Sequence, residues 1–395
     1  MKKAIAILLV YSILMTLLVV SPFTASADEK NIDETSDTVA SGTTGDCTWE
    51  LEDGVLTISG NGNMADYIYD DLTAPWRYYD YNTVVIKNGV TSIGHDAFYN
   101  CAGLTNIDIP DSVTSIGNSA FYNTAWYNNQ PDGLVYAGKV AYKMKGTCPS
   151  EVVIKDGTVS ITAYAFSNCK ELTNVTIPDS VTSIGSWAFY RCLSLTSVTI
   201  PDSVASIGGA AFYGCTGIKS VTLNQTGVDS FRDSFVNCNN LGTVILKDSV
   251  ASIGNSAFYG CTALTKITIP DSAKAIASNA FYGCSSLTSV TIPKSVTDIY
   301  DKAFGYYNQA GLGEAKVKGF TIYGYEDSEA ERYANNNNFK FIALDDEPSD
   351  PTKTTDREIF GDIDGDGAIT IVDTTFLQRY TIQAETPYPI GEKMK

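Results

Sequence analysis

Histidine is nearly absent: 395 residues hold one, His95. A nucleophile leaning on a histidine base, or a metal centre built from several imidazoles, is thereby excluded as the basis of an activity. Positive charge is scarce as well. Lys and Arg total 27 against 45 Asp and Glu, a formal net charge of −18. Nucleic acid and an anionic membrane surface both call for basic patches, so neither is expected as the main partner. Beyond the first twenty residues no apolar run is long enough to span a bilayer. What the chain does have is 44% apolar residues, enough for one large domain or two ordinary ones, and carboxylates available for acid–base work or calcium.

The N-terminus reads as an export device. Met1-Lys2-Lys3 is a short basic start, Ala4 to Val20 is apolar, and Ala25-Ser26-Ala27 supplies the small residues a signal peptidase accepts. Residues 1–27 are therefore expected to be a signal peptide, with a signal anchor as the alternative. Polar Asp28-Glu29-Lys30 follows at once, which favours cleavage, and no cysteine is placed for a lipid anchor. Losing Lys2 and Lys3 leaves a mature charge of −20. The expectation is a secreted, extracellular protein without membrane association after cleavage, beginning with a flexible segment over 28–45.

One period organises the rest. Phenylalanine recurs at Phe98, Phe121, Phe166, Phe189, Phe212, Phe235, Phe258, Phe281 and Phe304, every 23 residues except for a gap of 45 between Phe121 and Phe166. One copy reads Leu195-Thr-Ser-Val198-Thr-Ile200-Pro201-Asp-Ser-Val204-Ala-Ser-Ile207-Gly-Gly-Ala-Ala-Phe212-Tyr-Gly-Cys215. Val198-Thr-Ile200 alternates with period two, which predicts a short strand with Val and Ile inward and Thr outward. Pro201 ends it, having no N–H for a ladder. Val204 to Ile207 and Phe212 to Cys215 are three-residue steps that suit a turn or a single helical turn. The residue before the Cys is Asn, Gly or, once, Arg191. That points to a tight turn with a left-handed residue.

A lone coil buries about seven side chains worth roughly 1.5–3 kcal/mol each, against an ordering cost near 1.5 kcal/mol for every residue. It does not fold alone. Stacked coils do, each covering its neighbour's open face. The coil at Phe235 supports fixed stacking: Leu223 to Val228 is one residue longer than the usual strand–turn segment, and Phe231 to Phe235 is one shorter, so the period survives. Caps are expected at both ends. Over 46–82, Trp49-Glu-Leu51 and Val55 to Gly60 alternate around Asp53-Gly54 like a hairpin, next to a first coil strand at Val84-Val-Ile86. Over 320–344 the order is strand, a short helix from Ser328, and strand. An inserted hairpin, Leu134 to Tyr136 with Val140 to Tyr142 around Ala137-Gly138, lies within 124–150.

This motif resembles the BspA-like class of leucine-rich repeats. The resemblance implies a leucine-rich-repeat solenoid over 46–344, mainly β, with one short parallel strand in each 23-residue coil, turns or single helical turns between, and a cap at each end. It implies a surface, adhesion or protein-interaction role and no enzyme activity.

Seven of nine cysteines sit three residues after a repeat Phe: Cys101, Cys169, Cys192, Cys215, Cys238, Cys261 and Cys284. Exported chains favour disulfides, yet stacked side chains point the same way with Cβ atoms too far apart to bridge. A buried, reduced ladder is expected, with bridges between neighbouring coils as the alternative; Cys47 and Cys148 lie off the ladder, and a bridge between them is a separate, lesser reading. Tyr99, Tyr122, Tyr190, Tyr213, Tyr259 and Tyr282 form a second column, read either as a platform for sugar rings or as a rim covering the turns. The outward column Thr176, Thr199, Thr222, Thr268 and Thr291 is first a β-propensity choice. Trp76, Tyr78, Tyr79 and Tyr81, and Trp126 with Tyr127, are candidate hot spots or packing for the cap and the hairpin. His95 replaces small polar residues in a turn and is expected in solvent.

The strongest local motif lies near the C-terminus. After a polar, proline-bearing linker (345–358), Asp362-Ile-Asp364-Gly-Asp366-Gly367-Ala368-Ile-Thr370-Ile-Val-Asp373 has the spacing of a twelve-residue EF-type calcium loop. Asp362, Asp364, Asp366 and Asp373 supply carboxylates, Ala368 a carbonyl, Thr370 a ninth-position oxygen, and Gly367 the bend. The small EF-hand-like module over 359–395 resembles the first repeat of a type I dockerin, with Asp at the twelfth position and a following helix from Thr374. The resemblance implies Ca²⁺ and a cohesin module of a scaffolding protein as partner, contacted by Ile371, Val372, Gln378 and Arg379. Ile371-Val372 departs from the usual Ser-Thr pair, and only one of two repeats is present. The expected function is a non-catalytic binding component of a polysaccharide-degrading extracellular complex, with a cell-surface protein or plant polysaccharide as ligand of the solenoid. A carbohydrate-binding solenoid is the alternative. A glycoside hydrolase needs two carboxylates about 5–9.5 Å apart across a cleft, and regular coils carry no insertion for one.

Overall fold

The 23-residue period is a hydrogen-bonding register. In the computed structural model, which describes residues 38–68, 73–224, 231–309 and 311–344, Val152 faces Val175 and Val175 faces Val198 in parallel ladders. The ladder runs on through Ser220–Leu223 to Thr243–Leu246. Val175, Val198, Val221 and Val244 are buried, while Thr176 and Thr199 face out, as the alternation requires. The stretches expected to be a signal peptide, a linker and a calcium-loop module, the last with Asp362, Asp364, Asp366, Ala368, Thr370, Ile371, Val372, Asp373, Gln378 and Arg379, lie outside the described residues.

Six of the described coils in the second unit also hold a second strand that two residues are too few to reveal by alternation. Ser160–Ile161, Ser183–Ile184 and Ser206–Ile207 pair in parallel, as do Ser252–Ile253, Ala275–Ile276 and Asp298–Ile299. Val204 closes a turn onto Pro201 O (3.1 Å), and Gly208 N–H then donates to Ile184 O of the preceding coil (2.7 Å). A helical turn would turn the Gly208 N–H back into its own coil.

The Phe side is laddered too. Trp187, Phe189 and Arg191 donate to Gly209, Ala211 and Tyr213 of the next coil at 3.1, 2.7 and 2.8 Å. Alternate N–H groups reach sideways because the residues two before and two after Phe adopt positive φ, here Trp187 (+60°) and Arg191 (+55°). The left-handed residue expected before each Cys is present at Asn100, Asn168, Arg191, Gly214, Asn237, Gly260 and Gly283. The column two before Phe was not foreseen, because its occupants share no residue type.

Two compact units divide the described chain, one running from Thr38 to Pro131 with Ala137–Val140, the other holding Asp132–Tyr136 and 141–344. In the first, Cys47–Glu52 and Val55–Gly60 form the expected hairpin. Thr38–Thr44, expected to be flexible, adds an antiparallel edge strand to it. Val55–Gly60 then starts the parallel ladder onto Thr83–Ile86 and Asn106–Asp108. Trp76 is the end rung beneath Phe98 (ring centroids 5.6 Å apart), with its indole N–H on Ala97 O at 2.9 Å.

In the second unit, residues 141–145 of the inserted hairpin's strand Val140–Lys145 continue the sheet of Ser160–Ile161. Phe166, Phe189, Phe212 and Phe235 stack at 4.9, 5.0 and 5.2 Å inside one apolar core. The far end closes as expected: strand Thr321–Gly324, helix Glu329–Asn336 capped by Ser328, strand Lys340–Ala343. Tyr333 OH accepts from Phe304 N–H (3.0 Å) and donates to Phe304 O (3.1 Å). It stands in for the coil that would otherwise satisfy those groups.

Candidate functional site

The tyrosine column is a set of stacked pairs. Tyr99 lies on Tyr122 (5.2 Å, 13°) and Tyr259 on Tyr282 (5.0 Å, 11°), so much of each ring face is spent on its neighbour. A platform for sugars needs free faces, and of these six only Tyr122 is half exposed. The Thr column is exposed along most of its length, with Val153 and Ile245 in the same outward register.

Trp76 is fully buried and Tyr81 nearly so, hence core of the cap; Tyr78, 83% exposed, is the free member of that group. Trp126 packs edge-on against Phe121 at 5.0 Å. Tyr67, Arg77, Tyr78, Asp96, Tyr99 and Cys101 line a cleft of about 330 Å³. Burial pushes the Asp96 carboxyl above its ordinary range. His95 is half buried, not solvated: its backbone N–H donates to Asp66 Oδ1 (2.8 Å), and its Nδ1 accepts from Asn118 N–H (3.0 Å).

Cysteine chemistry differs from expectation at one place. Cys169, the first ladder cysteine of the second unit, forms a disulfide with Cys148, their Cα atoms 5.4 Å apart. Cys47 is buried and free, its Sγ 3.7 Å from Gly62 O, so the Cys47–Cys148 bridge does not form. The reduced ladder holds for Cys192, Cys215, Cys238, Cys261 and Cys284. Cys192 donates to Phe166 O in the coil before, but no repeat Phe precedes Phe166 by one coil to accept from Cys169.

One cluster escaped the sequence reading. Trp187 packs parallel to Tyr164 (6.1 Å, 2°), edge-on to Tyr190 (5.1 Å) and tilted over Tyr213 (5.6 Å). Lys143 Nζ sits 5.9 Å from the Tyr164 ring centre, and the Arg191 guanidinium 6.0 Å from that of Tyr190. The available signal was the column itself: Asp96, Ser119, Ala210, Asp233, Ser256 and Asn279 hold the position that Tyr164 and Trp187 fill elsewhere.

Among the described residues no group of three or more His, Cys, Asp or Glu side chains is placed to hold a metal. No helix among them is long and apolar enough to cross a membrane. Two-stranded coils in a parallel stack, a Phe column and little helix define a leucine-rich-repeat solenoid. The family model of the BspA type leucine rich repeat region matches residues 76–130, 138–234 and 231–311, more than half of the chain. The chain belongs to that family. Among solved structures, a leucine-rich repeat protein from Eubacterium ventriosum is 26% identical, covering 67% of this chain and 94% of its own, with a TM-score of 0.40. A leucine-rich repeat protein from Bacteroides ovatus is 23% identical over 76% of this chain and 98% of its own (TM-score 0.31). A leucine rich cell surface protein from Faecalibacterium prausnitzii is 23% identical over 78% and 98% (TM-score 0.29). No curated protein matches the chain.

Proposed function

We propose that this is an exported, non-catalytic binding protein whose solenoid recognises a surface and whose C-terminal calcium loop attaches it, as a dockerin does, to a cohesin module of a scaffolding protein. The observation that carries the attachment is the ligand spacing of Asp362, Asp364, Asp366 and Asp373 around Gly367. Ca²⁺ would be held by those carboxylates with the Ala368 carbonyl and Thr370, and Ile371, Val372, Gln378 and Arg379 would form the contact. A pull-down of the full chain with cohesin from the source organism tests this. EDTA and Ile371→Asp should each abolish capture, the first by removing the ion that shapes the loop, the second by burying an unpaired charge. Capture that survives both would remove the attachment reading.

A second reading, in which the solenoid itself binds carbohydrate, is favoured by the part-exposed Trp187 with Lys143 and Arg191 nearby, as hydrogen-bond donors and not as a ring platform. It predicts retention on immobilised plant polysaccharide without release of reducing sugar.

A further inference from the structure

The two left-handed columns of the coils are filled by residues that tolerate the conformation, with a few exceptions. Two residues after the repeat Phe stand Asn100, Asn123, Asn168, Gly214, Asn237, Gly260 and Gly283, and one misfit, Arg191 (φ +55°). Two residues before it the aromatic occupants are Tyr164 (φ +58°) and Trp187 (φ +60°). Bulky side chains are uncommon there because Cβ crowds the carbonyl oxygen. Lys302, the other long side chain in these columns, has an ion pair with Glu314 at 2.9 Å to account for it.

Tyr164, Trp187 and Arg191 fall in two neighbouring coils and meet at one surface, through the ring contacts of Trp187 with Tyr164 and Tyr190 and of Arg191 with Tyr190. They are not core. Phe166 and Phe189 fill the interior, whereas Tyr164 and Trp187 are part exposed and Arg191 is exposed. Backbone strain kept at a surface, where burial does not repay it, is the pattern of a functional site.

The polar inventory of the surface is one-sided. Among the described residues the Trp187 indole N–H, the Arg191 guanidinium and the Lys143 ammonium have no hydrogen-bond or ion-pair partner. Lys143 is part buried, which lowers its pKa, and a ring is its neighbour where a carboxylate would be expected. Unspent donors beside aromatic rings ask for a ligand rich in acceptors and carrying negative charge. We propose that the surface centred on Trp187, flanked by Lys143 and Arg191, binds an acidic polysaccharide through the carboxylates and ring oxygens of uronic acid residues. The proposal rests on the reading that the solenoid binds carbohydrate, and names the ligand class. An acidic peptide presents the same carboxylates, and the polyglutamate arm of the test separates it from the sugar. The protein's own −18 charge opposes an anion at long range, but screening confines that field to about 8 Å at physiological ionic strength.

The test is titration calorimetry of the full chain with oligogalacturonate and with a neutral cello-oligosaccharide of equal length. The acidic oligomer should bind more tightly, and Trp187→Asn or Arg191→Asn should each weaken it by about tenfold or more. Arg191→Asn should not lower Tm, because asparagine suits the left-handed column; a purely structural arginine would lower it, and that result overturns the proposal. Equal affinity for both sugars, unchanged in Trp187→Asn, Arg191→Asn and Lys143→Gln, overturns it too while leaving carbohydrate binding elsewhere on the solenoid. Binding of neither sugar removes the carbohydrate reading itself. Polyglutamate captured with the same sensitivity to the variants, and galacturonate ignored, replaces the sugar with an acidic protein.

Discussion

The thiol of Cys192 donates to the carbonyl oxygen of Phe166, one coil back, at 3.2 Å. Cys215 does the same to Phe189 (2.9 Å), and Cys238, Cys261 and Cys284 to Phe212, Phe235 and Phe258 (3.2 Å each). Each S–H is thus spent on a main-chain acceptor, and stacked sulfurs have no cause to oxidise to one another. In native protein at about pH 8, iodoacetamide should leave these five thiols unmodified, since the reactive form is the thiolate. Part-exposed Cys101, which accepts from Tyr81 OH at 3.0 Å, should be modified first. Peptide mass mapping reads the outcome, and labelling of Cys215 or Cys261 in folded protein would contradict the ladder.

The same burial makes stability fall at alkaline pH. Desolvation pushes the Cys238 thiol up to about 12 from an ordinary 9.0. Between those values the unfolded chain has lost the proton and the folded chain keeps it, so rising pH favours unfolding. The expected slope is about 1.4 kcal/mol per pH unit for each such thiol. Urea midpoints between about pH 9 and about pH 11 should drop, and Cys238→Ala should make the drop shallower. A flat profile would mean the thiols are hydrated.

Phe212→Ala should cost about 3–5 kcal/mol, because a fully buried ring between Phe189 and Phe235 is removed and the rigid stack closes poorly over the cavity. Tyr213→Ala, one residue on but at the surface, should cost about 1 kcal/mol or less. Thermal melts followed by circular dichroism rank the two. The reverse order would invert the inward assignment of the Phe column.

The Cys148–Cys169 bridge joins residues 21 apart in sequence. Reduction should destabilise by about 3 kcal/mol on loop-closure entropy. Cys148→Ser should lose a similar amount and become insensitive to reductant. If dithiothreitol still lowers the urea midpoint of Cys148→Ser, a different bridge is responsible.

Calorimetry should detect one specific Ca²⁺ site in the full chain and none in residues 46–344 alone. Asp362→Ala combined with Asp366→Ala should remove it by taking away two carboxylate ligands. Heat of binding from the solenoid fragment would assign the ion to the acidic turns instead.

Much of this protein is local repetition, and local repetition is legible. The 23-residue spacing of Phe, the Val-x-Ile alternation and the proline after it determine the inward face, the strand and the parallel register, because stacking copies a side chain's environment from coil to coil. The Asn and Gly before each Cys likewise announce a left-handed turn. Three things needed the third dimension. The strand at Ser206–Ile207 is too short for any periodicity, and only pairing with Ser183–Ile184 defines it. Cys148 and Cys169 differ in their places relative to the repeat, and folding alone brings them together. Trp187 looks like an ordinary surface substitution in a variable turn until the backbone shows positive φ there and the coils set it and Arg191 beside Tyr164 and Tyr190. Sequence pattern reports which face a side chain occupies; proximity between coils and the cost of a dihedral are properties of the stack.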